Sequence, residues 1–119
     1  MDLAKITATP DARDAIQRAI AEHGPIIFHT SGGRVGGRRF PACLPAGELR
    51  LGARDHLLGE VEGVPVYDME DRDGVTRSTT ASYVLDIADG HAMGFSISAA
   101  PGKKFMLNRV ASEACNDCA

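Results

Sequence analysis

Thr9-Pro10-Asp11-Ala12-Arg13-Asp14-Ala15-Ile16-Gln17-Arg18-Ala19-Ile20-Ala21-Glu22-His23-Gly24-Pro25 contains a complete helix with both of its ends. Thr9 is an N-cap, because its hydroxyl can accept from the unpaired N–H groups of the first turn. Pro10 suits the first helical position, and Asp11 and Asp14 place negative charge where the helix dipole favours it. Ala12, Ala15, Ile16, Ala19 and Ile20 then recur at three- and four-residue spacing, while Arg13, Gln17 and Arg18 fall on the opposite side. Gly24 can take the left-handed conformation that ends a helix, and Pro25 prevents continuation. The pattern predicts one helix from about residue 10 to residue 23, with a single apolar stripe that needs a sheet to cover it.

Downstream of the helix, strand and turn signals follow one another. Ile26-Ile27-Phe28-His29-Thr30 is a β-branched and aromatic run bounded by Pro25 and Gly32. Glu48-Leu49-Arg50-Leu51 alternates polar and apolar. Leu57-Leu58-Gly59-Glu60-Val61 and Val64-Pro65-Val66-Tyr67 flank Glu62-Gly63, a tight hairpin turn in which Pro65 implies an edge strand or a bulge. From Thr79 to Ile87 the chain alternates, with Ala81, Tyr83 and Leu85 on one side. Phe95 and Ile97 mark a further strand, and Phe105 and Leu107 a last one. Short connections favour antiparallel pairing, since parallel strands need longer crossovers. The expected architecture is α+β: one N-terminal helix on a mostly antiparallel sheet of six to seven short strands. It forms a single domain over 1–119, with a β-rich body over about 25–110 and a loose tail over 111–119.

Composition narrows the function classes. The 119 residues carry a net charge of −3, which argues against a nucleic-acid binder held by bulk charge. No apolar run approaches the ~20 residues of a membrane span, and Met1-Asp2-Leu3-Ala4-Lys5-Ile6 lacks the basic-then-apolar layout of a signal peptide. Three cysteines do not make a disulfide framework. The expected location is the cytoplasm. With no Trp and few other aromatics, the core rests on Val, Ile, Leu, Met and Ala, so a homodimer is an expected source of added stability.

Ser31-Gly32-Gly33-Arg34-Val35-Gly36-Gly37-Arg38-Arg39 is the most unusual segment. Four glycines allow close backbone approach to a ligand, and three arginines suit an anion. The spacing matches neither G-x-G-x-x-G nor a P-loop, whose Lys and Ser or Thr are replaced by Arg38 and Arg39. A solvated basic loop is the alternative. His29 enters the segment and Cys43 leaves it, so the expected ligand-binding set is His29, Ser31, Gly32, Gly33, Arg34, Arg38, Arg39 and Cys43, taking an anionic small molecule. His29 can serve as a ligand or a base, or simply be hydrogen-bonded on one sheet face. Cys115-Asn116-Asp117-Cys118 spaces two thiolates for one metal ion. With His29 and Cys43 it makes a four-ligand zinc site if the tail folds back, and the same residues define an alternative function as a metal-binding or thiol-dependent enzyme. Asp68, Glu70, Asp71 and Asp73 lack the register of a calcium loop and read as a solvated turn.

His23-Gly24-Pro25-Ile26-Ile27-Phe28-His29-Thr30-Ser31-Gly32-Gly33 resembles the opening of the bacterial domain of unknown function 779 family. Pro45-Ala46-Gly47-Glu48-Leu49-Arg50-Leu51-Gly52, Leu57-Leu58-Gly59-Glu60, Gly63-Val64-Pro65-Val66-Tyr67 and Gly94-Phe95-Ser96-Ile97 extend the resemblance, in order, over about residues 19–110. Such proteins are encoded near aldehyde dehydrogenases. The resemblance thus implies an accessory or small-ligand-binding role in aldehyde or alcohol metabolism, or a dimeric structural partner of an aldehyde dehydrogenase. In the family pattern Ser-Gly-Gly leads to two adjacent cysteines, an Asp-Gly and a third cysteine. Here Arg34-Val35 and Gly36-Gly37 stand at the first two features, and Cys43 matches the last. A Trp and a His that precede the family's long strand are absent, with Thr79 and Thr80 near their place.

Overall fold

A computed structural model describes residues 3–31, 40–48, 51–70, 74, 81–92 and 96–110. Its elements are β1 (Ala4–Ala8), α1 (Pro10–His23), β2 (Ile26–Ser31), β3 (Ala42–Pro45), β4 (Asp55–Val61), β5 (Val64–Met69), β6 (Ser82–Asp89) and β7 (Lys103–Arg109). The helix keeps its expected bounds for the expected reasons. The Thr9 hydroxyl accepts from the Ala12 N–H at 3.2 Å, and the Gly24 N–H, at a φ of 78°, donates to the Ile20 carbonyl. Thr9 also donates its hydroxyl proton to Asp86 at 2.9 Å, which ties the start of α1 to β6.

One helix therefore packs on a mixed, mostly antiparallel sheet of seven short strands, in the order β3-β2-β5-β4-β1-β6-β7. The ladders β2–β3, β4–β5 and β6–β7 are antiparallel. Those joining β1 to β4 and β6, and β2 to β5, are parallel. The sheet is strongly curled. Five strand steps separate β2 from β7, about 24 Å in a flat sheet. Yet the Phe28 and Phe105 rings meet edge to face with centroids 4.9 Å apart. The edges meet through the connection between β6 and β7, where the Ile97 N–H donates to the Cys43 carbonyl at 2.8 Å and the Cys43 N–H to the Ser96 hydroxyl at 2.9 Å. The concave side holds the main core, in which Ala12, Ala15, Ile16 and Ala19 of α1 face Phe28, Val66, Leu85 and Leu107. A second, smaller cluster of Ile27, Ala42 and Leu44, with Tyr67 against it, occupies the convex side.

Several local expectations change. β1 gives no strong sequence signal, because two of its three inward residues are alanines of weak strand propensity, yet it lies inside the sheet. β3 is likewise too short to announce itself. Residues 48–51 do not read as a strand where they are described: the Glu48 N–H closes a turn onto the Pro45 carbonyl, and Leu51 is exposed. Ile97 lies in an irregular segment rather than a strand, held by its bond to Cys43. Pro65 sits on an interior strand. Glu62 and Gly63 have φ of 51° and 77°, as a two-residue type I′ turn requires. The first pair beyond the turn-closing Val61–Val64 pair is Glu60–Pro65, a position whose N–H groups do not bond across the hairpin, so β4 loses nothing to the proline. The irregularity lies on β4, between Leu57 and Gly59. Among the described residues no helix is long and apolar enough to cross a membrane.

Candidate functional site

His29 lies near the end of β2 on the convex face, in register with Tyr67 of β5 and Ala42 of β3. Its Nε2–H donates to Asp55 Oδ1 at 2.7 Å, reaching diagonally over β5 to the first residue of β4. The other carboxylate oxygen, Asp55 Oδ2, accepts from the Gly52 N–H at 2.7 Å. Both side chains are largely shielded, at 19% and 9% exposure. Burial of Asp55 works against its ionised form. The Gly52 N–H, the His29 hydrogen bond and the charges of His29 and His56 outweigh it, so the carboxyl titrates below its ordinary value. The hydrogen bond at Nε2 fixes the orientation of the ring and leaves Nδ1 as the ring nitrogen without that partner. This pair can orient a hydrogen-bonding group of a ligand or hold a proton beside it.

The same end of the sheet carries a second histidine–carboxylate pair. His56 Nε2 bonds Glu70 Oε2 at 2.9 Å, and the Glu70 backbone closes onto Arg54 in both directions. Asp68, expected in a solvated turn, is instead 1% exposed on β5 and in register with the buried Thr30. The alternation Val64, Val66, Asp68 was the available signal that it faces the core. Asp55 escaped the sequence reading because its partner is 26 residues away.

Cys43 is separated from this group. It pairs in register with Phe28, and its side chain belongs to the concave core at 0% exposure, whereas its neighbour Ala42, opposite His29, belongs to the convex cluster. Burial pushes the thiol up to about 12. His29 and Cys43 therefore face opposite sides of the sheet. The zinc reading is corrected on this point: among the described residues no group of three or more His, Cys, Asp or Glu side chains can hold a metal ion. The period-two alternation of β3 prevents the imidazole and the thiol from converging. Cys115 and Cys118 lie outside the described residues, as do Gly32, Gly33, Arg34, Arg38 and Arg39. The backbone of Ser31 ends β2 opposite Met69.

Where the chain re-enters β3, Phe40, Pro41, Ala42, His91, Ser96 and Lys104 line a cavity of about 270 Å³. Lys104 Nζ sits 3.8 Å from the centroid of the Phe40 ring. Ala42 thus links the cavity wall to His29, its cross-strand neighbour. A wider cleft of about 620 Å³ runs between α1 and residues 96–101, but Arg18, Glu22 and Glu48 give it charges of both signs and it touches neither His29 nor Lys104.

The profile of one family, Domain of unknown function (DUF779), matches residues 15–110. The chain belongs to the DUF779 family. The match includes β2 through β7 and most of α1, and hence every described residue of the His29–Asp55 pair and of the cavity. Strand β1 of this DUF779 protein precedes the matched residues. No curated protein and no solved structure matches the chain.

Proposed function

We propose that this DUF779 protein is a small-ligand-binding accessory protein whose site is the convex surface around His29 and Ala42 and whose ligand is anionic. The observation that carries the reading is the His29–Asp55 hydrogen bond of 2.7 Å, placed where β2 gives way to the segment bearing Arg34, Arg38 and Arg39. An imidazole held by a largely shielded carboxylate is preorganised to meet a polar ligand group, and guanidinium groups recognise carboxylates and phosphates in a bidentate manner. Ser31, Gly32 and Gly33 follow shortly after His29 in the sequence. Cys43 acts as a core residue in this reading and not as a ligand contact. The role in aldehyde metabolism rests on the family resemblance, and co-purification with an aldehyde dehydrogenase from the native host tests it.

Titration calorimetry with phosphate- and carboxylate-bearing compounds tests the binding reading. Saturable binding that weakens at least tenfold in Arg38→Ala/Arg39→Ala supports it. Undiminished binding by that variant removes the arginines from the site.

A further inference from the structure

The 270 Å³ cavity at the seam of the curled sheet has a one-sided chemistry. Its walls are Phe40, Pro41, Ala42 and Ala92, which offer apolar surface. Ser96 is committed elsewhere, since its hydroxyl accepts from the Cys43 N–H and donates to the Ile97 carbonyl. The ionisable groups in its described lining are Lys104 and His91, with no carboxylate among them. Lys104 is held in place. Its ammonium lies over the Phe40 ring at 3.8 Å, and its stem passes so close to Gly90 that a Cβ there would stand 3.2 Å from Lys104 Cε. A ring face takes up positive charge but engages the three N–H donors only weakly, so the ammonium keeps donor capacity for an anion. The volume lies just below the usual range for drug-sized ligands, which excludes a nucleotide and admits a compact molecule.

We propose that this seam cavity seats a compact monocarboxylate, its apolar body against Phe40, Pro41 and Ala42 and its carboxylate on the Lys104 ammonium. The inference deepens the anion-binding reading and rests on it for the class of ligand, while adding a residue, Lys104, that lies outside the arginine segment. Shape and charge both enter: the neutral analogue of such a ligand keeps the wall contacts and forfeits the charge-assisted hydrogen bond.

Titration of the full chain with benzoate, benzyl alcohol and inorganic phosphate tests it, with amide NMR shifts as the map. Benzoate is expected to bind one per chain, to shift Ala42 and Ala92, and to bind at least about tenfold more tightly than benzyl alcohol. Lys104→Met is expected to remove that preference and Lys104→Arg to restore it, which separates loss of charge from loss of fold. Equal binding of benzoate and benzyl alcohol, or a preference unchanged in Lys104→Met, overturns the proposal. Phosphate binding that survives Lys104→Met and disappears in Arg38→Ala/Arg39→Ala, with no benzoate binding, overturns the seam site while leaving the broader reading intact. Binding of none of the three overturns both.

Discussion

Replacing Gly59 with alanine attacks the junction that holds the sheet together. Gly59 lies opposite Ala4 where β4 meets β1, just past the irregularity in β4. A Cβ at this position would stand 2.5 Å from the Ala4 carbonyl oxygen and 3.1 Å from Ile6 Cδ1. The oxygen must retreat by roughly half an ångström even to reach a tight contact. It cannot swing aside, because it belongs to the backbone of a strand paired on its other edge with β6. Overpacking of this kind costs about 1–3 kcal/mol. The weakened ladder around Ala4–Gly59 and Lys5–Glu60 adds about 1 kcal/mol per hydrogen bond lost. A total near 3 kcal/mol is a large part of the ~5–15 kcal/mol typical of a domain. In urea unfolding it moves the midpoint by roughly 1–3 M. Two further glycines calibrate the result. Gly47→Ala, with nothing within 4 Å of the added carbon, is expected to stay within about 0.5 kcal/mol. Gly63→Ala, at a φ of 77° but in open space, is expected to cost about 1 kcal/mol from backbone strain alone. A Gly59→Ala cost no greater than that of Gly63→Ala refutes the close approach of β1 to β4.

Other outcomes follow from the same geometry. In a Cys115→Ser/Cys118→Ser background, Cys43 is expected to resist iodoacetamide at pH 8, since a thiol pushed up from 9.0 to about 12 has on the order of a thousandfold less thiolate, and access is closed as well; labelling at the rate of a free thiol contradicts its burial. The same raised value makes the Cys43 contribution to stability fully present below pH 9 and progressively lost as pH rises toward 12, an alkaline limb that Cys43→Ala should flatten in urea titrations. Asp55 has the opposite sign. Its lowered value means that its contribution is present above the ordinary carboxylate range and lost as pH falls through the folded value, so Asp55→Asn should lose about 1–3 kcal/mol at pH 7 and much less once the pH lies below the folded value. Thr9→Ala removes both the cap on Ala12 and the bond to Asp86, and a loss of about 1–2 kcal/mol by thermal unfolding is expected.

Local chemistry was the part of the fold open to sequence reasoning. α1 is readable because its cap, its stripe and its terminating glycine all lie within seventeen residues. The β4–β5 hairpin is readable because Glu62-Gly63 separates two apolar runs. β1 is not, because what stabilises Ala4 and Ile6 is their place between β4 and β6, a long-range fact. The curl of the sheet, carried by Phe28 on Phe105 and by Ile97 on Cys43, is equally non-local. The site follows the same division. His29 stands out by type and position, whereas Asp55 and Lys104 become neighbours of the 29–43 region only once β4 and β7 are in place. The expectation that His29 and Cys43 share one pocket or one metal fails for a simple reason. Residues 28 and 43 are cross-strand partners, so residues 29 and 43 differ by one step of the pleat and point apart.

Amide chemical-shift mapping of the full chain during titration with inorganic phosphate and with short carboxylates addresses the binding surface most directly. Saturable shifts concentrated at His29, residues 40–44 and Asp55 are the expected result. Shifts confined to the cleft beside α1, around Arg18 and Glu48, or the absence of any saturable shift, contradict it.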